Sequence, residues 1–128
     1  MPNTPLGPRE QGFQFERLDV YRLALEFTSF AHETASALPR GHAGLADQLE
    51  RAAASIVLNT AEGAGEFSRK EKARFFRMAL RSSAECAAVL AVSGRLGLIS
   101  PEQEDRGRQM TYRLAAMLTR LVLRQERL

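Results

Sequence analysis

The stretch "NTAEGAGEFSRKEKARFFRMALR", Asn59 to Arg81, places two glycines, a serine and a run of cations close together. The spacing argues against a phosphate-binding loop. A Walker motif ends in Gly-Lys-Ser/Thr, and a dinucleotide-binding fingerprint has a third glycine where Ser68 stands here. Gly63 and Gly65 also lie between two helical patterns, whereas nucleotide loops follow a strand. We therefore interpret the stretch as a corner between two helices, with Gly63 as the C-terminal cap of one helix and Ser68 as the N-cap of the next.

Hydrophobic residues recur at spacings of three and four on both sides of this corner and predict four helices. Their expected ranges are about Leu18–Leu38, about Leu45–Glu62, Ser68 to about Gly94, and Ser100 to the C-terminus. The sequences "SRKE" at Ser68 and "SPEQ" at Ser100 both have the form of a capping box, which marks a helix start. Because no alternating strand pattern occurs, the fold class predicted is all-α, an antiparallel up-and-down four-helix bundle.

Composition sets the domain organisation. The first twelve residues contain three prolines and two glycines and are predicted to form a flexible N-terminal tail, with residues 13–128 as the bundle. A chain of 128 residues with 45% hydrophobic content buries a core without metal or disulfide support. The single cysteine and the absence of an apolar leader indicate a cytoplasmic protein. The longest uncharged stretch in the middle of the chain, Ala52–Ala61, is about half of the ~20 residues that a membrane span requires.

No catalytic, metal or cofactor site is predicted, so the chain is interpreted as a non-enzyme. Di-iron bundles need inward-facing Glu-x-x-His pairs, and this sequence has none. His32 and His42 belong to no cluster with ligand spacing, which favours surface positions. Cys86 falls on the helical line of Phe75 and Ala79, which favours a small core residue over a nucleophile.

Two rows of cations are the candidate binding surface. Four cations of the third helix fall on one side over three turns. This third-helix stripe consists of Lys70, Arg74, Arg77 and Arg81. The fourth-helix stripe consists of Arg113, Arg120, Arg124 and Arg127. Such rows are either ordinary solvated helix faces or contacts for phosphate, and two of them on one small domain favour phosphate. The expected partner is RNA or DNA, held by its backbone, because few aromatics are free to stack on bases.

The later half of the third helix, Ser82–Gly94, is apolar nearly all round and has Glu85 as its only charge. A bundle helix in a monomer needs only one buried face, so a second apolar face predicts contact with another subunit rather than a broad core. The predicted interface stripe consists of Ala73, Phe76, Leu80, Ala84, Ala87 and Ala91. The sequence therefore predicts a homo-oligomer.

Residues Gly44–Glu85 resemble the four helix bundle protein family, which includes proteins encoded in intervening sequences of large-subunit ribosomal RNA genes and the accessory variability determinant of diversity-generating retroelements. The matching positions are Arg51-Ala52, Ser55-Ile56, Asn59, Ala61-Glu62-Gly63, Ser68, Phe75, Ala79, Ser82 and Glu85. The resemblance implies a homopentameric ring with a basic surface that, in the retroelement branch, contacts nucleic acid and a reverse transcriptase. Glu66 and Arg81 depart from the family pattern.

The polar positions of this resemblance share one edge of the second helix and form a predicted polar seam. Its members are Arg51, Ser55, Asn59 and Glu62, with Glu85 opposite. No activated nucleophile accompanies them, which favours a structural hydrogen-bonded seam over a catalytic site. The sequence thus predicts a non-enzymatic oligomeric bundle that binds nucleic acid. The alternative is a protein assembly or adaptor module without nucleic-acid binding.

Overall fold

The computed structural model describes residues 12–127, so the predicted tail lies outside the described residues except for Gly12. Four α-helices account for most of this range, and no strand occurs within it. They are α1 (Asp19–Ala37), α2 (Ala43–Gly65), α3 (Arg69–Arg95) and α4 (Pro101–Glu126). Short 3-10 helices at Gln14–Arg17 and Arg40–His42 precede α1 and α2. The predicted all-α class is confirmed.

The helices pack in up-and-down order. Each helix packs against the next in sequence, and α1 closes the bundle against both α2 and α4. One bond that ties α3 to α4 runs from the Ser83 hydroxyl to the Thr111 carbonyl over 3.1 Å. The side chains of Phe27, Leu49, Ile56, Leu90, Leu114 and Leu118 are fully buried between the four helices. Within residues 12–127, no helix combines the length and the apolar character that a membrane span needs.

Both predicted helix starts carry their serine caps. The Ser68 hydroxyl accepts from the Glu71 amide at 3.1 Å, but the Glu71 carboxylate turns to Arg74. At α4 the box is complete, because Ser100 accepts from the Gln103 amide at 3.1 Å and the Gln103 side chain accepts from the Ser100 amide at 2.8 Å. These bonds satisfy amide groups that a helix leaves without partners at its first turn.

The prediction that Gly63 ends α2 is wrong. The helix continues to Gly65, and among the described residues only Gly97 has a positive φ angle. Gly63 instead permits close helix packing, since a Cβ atom there would lie 2.6 Å from Cε1 of Phe76. Lys72 caps the end of α2, because its ammonium donates to the carbonyls of Gly63 and Ala64 at 3.3 and 3.0 Å.

The structure also corrects two residues of the predicted interface stripe and one of the predicted core. Ala73 and Phe76 were expected to face another subunit, but each is 3% exposed within this single chain. Phe75 was expected in the core and is only half-buried. The cause is that α3 packs against α2 on one side and α4 on the other, which widens its buried face. Of the rest of the stripe, Leu80 is half-buried against the core, Ala87 is half-buried, and Ala84 and Ala91 are exposed.

Candidate nucleic-acid interface

Charge is divided unequally between the two halves of the bundle. Residues 12–66, which include α1 and α2, contain eight carboxylates and four arginines. Residues 69–127, which include α3 and α4, contain thirteen lysines and arginines and six carboxylates. The formal charges are therefore −4 and +7. The net charge of the chain, +3, thus combines an acidic half with a strongly cationic half. An anion approaching the molecule is attracted to α3 and α4 and repelled by the other two helices.

Two of the four cations in the third-helix stripe are neutralised within the chain. Arg74 pairs with Glu71 at 2.9 Å, and its hydrogen bond lowers the pKa of the Glu71 carboxyl and raises the pKa of Arg74. The Arg74 guanidinium also lies 4.5 Å from the ring centroid of Phe75. Arg77 pairs with Glu126 of α4. Lys70 and Arg81 are exposed and have no ion-pair partner among residues 12–127.

The fourth-helix stripe is less neutralised. Its four arginines are all exposed, and none of them pairs with a carboxylate within the described range. Arg69 of α3 donates to the Arg127 carbonyl at 2.7 Å, and Arg77 reaches Glu126. The start of α3 therefore lies beside the end of α4. Arg77 of the third-helix stripe therefore lies near the last turn of α4, whereas Arg120 and Arg124 of the fourth-helix stripe lie beside the start of α1.

The polar seam is formed in part. Asn59 donates to the Ser55 carbonyl at 3.0 Å and to its hydroxyl at 2.9 Å, and Ser82 of α3 donates to that hydroxyl at 2.8 Å. The other three members stand apart from this cluster. Arg51 pairs with Asp47, and Glu85 accepts from Gln48 at 3.3 Å. Glu62 is exposed and makes no hydrogen bond or ion pair within the described residues.

The titratable groups that a catalytic site would use form no larger cluster among the described residues. Among the described residues, no three His, Cys, Asp or Glu side chains are grouped so as to hold a metal ion. His32 contacts Glu50 at the surface, and His42 is half-buried at the start of α2. Cys86 is buried, and burial, with a smaller effect of Glu85, raises the pKa of its thiol to about 12. A thiol in this state is a poor nucleophile at neutral pH.

The raised pKa of Cys86 predicts a loss of stability in alkaline solution. A thiol in the unfolded chain ionises near pH 8.5, whereas the folded chain holds the proton to about pH 12. The folded state then binds more protons between these values, so the free energy of unfolding falls as the pH rises, by about 2 kcal/mol between pH 8.5 and 10. Urea unfolding of the wild type and of Cys86→Ala measures this share. The wild type should lose its advantage over the variant as the pH rises, and a constant difference would contradict the expectation.

Comparison with known proteins places the chain in a family. The family model for the 23S rRNA-intervening sequence protein matches residues 16–120. One similar solved structure is that of a protein with unknown function from the S23 ribosomal protein family of Bacteroides thetaiotaomicron. The two share 21% sequence identity with a TM-score of 0.75, over 80% of this chain and 97% of the other. At this identity the likeness concerns the fold. No curated protein matches the chain.

Proposed function

This chain belongs to the 23S rRNA-intervening sequence protein family, and on that premise we propose that it is a non-enzymatic cytoplasmic bundle that self-associates and binds nucleic acid. Binding takes place through phosphate contacts on α3 and α4. The observation that carries the proposal is the separation of charge. One half of the bundle has a formal charge of +7 and the other −4.

Six cations of α3 and α4 are available for phosphate. They lack an ion-pair partner among residues 12–127, so contact with a phosphate requires no carboxylate to be displaced. They are Lys70 and Arg81 on α3 and Arg113, Arg120, Arg124 and Arg127 on α4. Arg74 and Arg77 contribute less, because Glu71 and Glu126 already neutralise them. Such contacts bind the backbone without reading its sequence.

Self-association is supported by apolar surface on α3. Ala84 and Ala91 are exposed and Ala87 is half-buried, so small apolar side chains face outward beside Leu80, which is half-buried against the core. On α4, Tyr112 is 76% exposed. It directly follows Thr111, whose carbonyl accepts a hydrogen bond from Ser83 of α3. A second copy that covers this surface removes apolar area from water. In the ring of five that the family resemblance implies, each copy repeats the cationic face, and weak contacts then act together on one long strand.

The proposal is tested by measuring binding and assembly of the wild type. Fluorescence anisotropy with labelled oligonucleotides at about 50 and 200 mM salt should show affinity that falls steeply as salt rises. A slope of log affinity against log salt near −0.7 per phosphate contact for single strands and −0.9 for duplexes is expected. Light scattering should give about five chains per particle. An oligomer without binding at low salt would favour the alternative, an assembly or adaptor module for a protein partner. A monomer at all concentrations would contradict self-association.

A further inference from the structure

A groove runs between the start of α1 and the last turns of α4. It consists of two cavities of about 350 and 180 Å³. Both are lined by Leu18, Leu121 and Arg124, so they lie side by side. The larger cavity alone lies within the range typical of small-molecule sites, about 300–1,000 Å³. Neither the polar seam nor the predicted interface stripe contributes to the larger cavity.

The floor of the groove is apolar and incompletely covered. Leu18, Met117 and Leu121 pack against the core but remain only partly buried. All three line the larger cavity. Partly buried aliphatic side chains at the base of a concave surface gain stability when an apolar group covers them.

The rim of the groove is cationic. Arg120 and Arg124 lie one helical turn apart, which places their Cβ atoms about 6 Å from each other. Neither pairs with a carboxylate among residues 12–127. Lys72 lines the smaller cavity, but its ammonium already donates to the Ala64 carbonyl at the end of α2. The one acidic side chain of the larger cavity is Asp19, which is 3.6 Å from Arg22.

We infer that this groove takes one unpaired nucleotide, with the base on the apolar floor and its flanking phosphates on Arg120 and Arg124. The inference rests on the proposed function and specifies its ligand as single-stranded nucleic acid. A base must leave its stack and its pairing to enter a pocket, and an unpaired strand has no pairing to lose. A nucleotide within a strand presents an anion on each side of its sugar, which matches two arginines. A fatty acid has one carboxylate and would leave one arginine unmatched.

The expected result is a preference for single strands. At equal salt, the wild type should bind a labelled single-stranded oligonucleotide about tenfold or more tightly than the duplex of the same sequence, because only the single strand can cover the apolar floor with a base. A strand of abasic residues keeps its phosphates but has no bases, so it should bind only as well as the duplex. Asp19→Asn should raise the affinity for the single strand, because it removes the carboxylate from the groove.

A matched pair of double variants locates the effect. Arg120→Gln with Arg124→Gln should abolish the preference for the single strand. Arg108→Gln with Arg113→Gln removes the same charge from exposed positions of the same helix outside the groove. This second variant should bind both the single strand and the duplex more weakly, with the ratio of the two affinities unchanged. Equal binding of single strand, duplex and abasic strand by the wild type would overturn the inference and leave phosphate binding intact. Absence of binding to all three would overturn the proposed function as well.

Discussion

Leu114→Ala is expected to lower the free energy of unfolding by about 2–5 kcal/mol, the cost of removing a fully buried leucine from a packed core. Leu114 is 0% exposed on the inner face of α4. The helices of an up-and-down bundle are rigid, so the cavity that the truncated side chain leaves closes only partly. For a chain of this length, the melting temperature should fall by roughly 10 °C. Urea unfolding followed by circular dichroism measures the change.

Leu123→Ala is the matched control, because it makes the same chemical change nine residues further along α4. Leu123 is 51% exposed, so its truncation should change the free energy of unfolding by less than about 0.5 kcal/mol. Similar costs for the two variants would mean that Leu114 is no better packed than a surface side chain. A large cost at Leu123 alone would indicate that another subunit covers this part of α4.

The four helices were predictable because local signals determine them. Apolar spacing located all four elements, and the serines at Ser68 and Ser100 marked two starts to the residue. The role of Gly63 was not predictable in this way. A glycine near the end of a helix normally signals a change of backbone handedness. Here it makes room for Phe76 of the next helix, an arrangement that depends on how the two helices are placed.

The same limit applies to the candidate binding surface. Helical periodicity correctly placed the cations of both stripes on the outside of their helices. It did not show that Arg77 meets Glu126, because that pair joins positions far apart in the sequence. Lys72 belongs to neither stripe. Its ammonium caps the end of α2, a role that depends on how α2 and α3 pack. Which cations are free for a ligand is therefore a property of the packing.

Replacing Arg113, Arg120 and Arg124 with glutamine is expected to weaken nucleic-acid binding by on the order of 10²-fold at low salt, about 1 kcal/mol for each arginine–phosphate interaction removed. All three arginines are exposed and make no ion pair among the described residues, so each contributes its full charge to the α3–α4 face. Glutamine favours helix and keeps part of the side-chain stem, so the fold should be retained. The slope of log affinity against log salt should shrink by roughly 0.7 to 0.9 for each of these interactions.

The control for this triple variant is Arg17→Gln, Arg40→Gln and Arg51→Gln, which lowers the net charge of the chain by the same amount on the acidic half. All three arginines are exposed, and Arg51 already pairs with Asp47. If the position of the charge determines binding, the control should keep most of the wild-type affinity and its salt slope. Equal decreases in affinity for the two variants would show that only the total charge matters. Binding would then be a diffuse attraction with no defined surface on α3 and α4, because an interaction that depends only on net charge does not depend on where the charge lies.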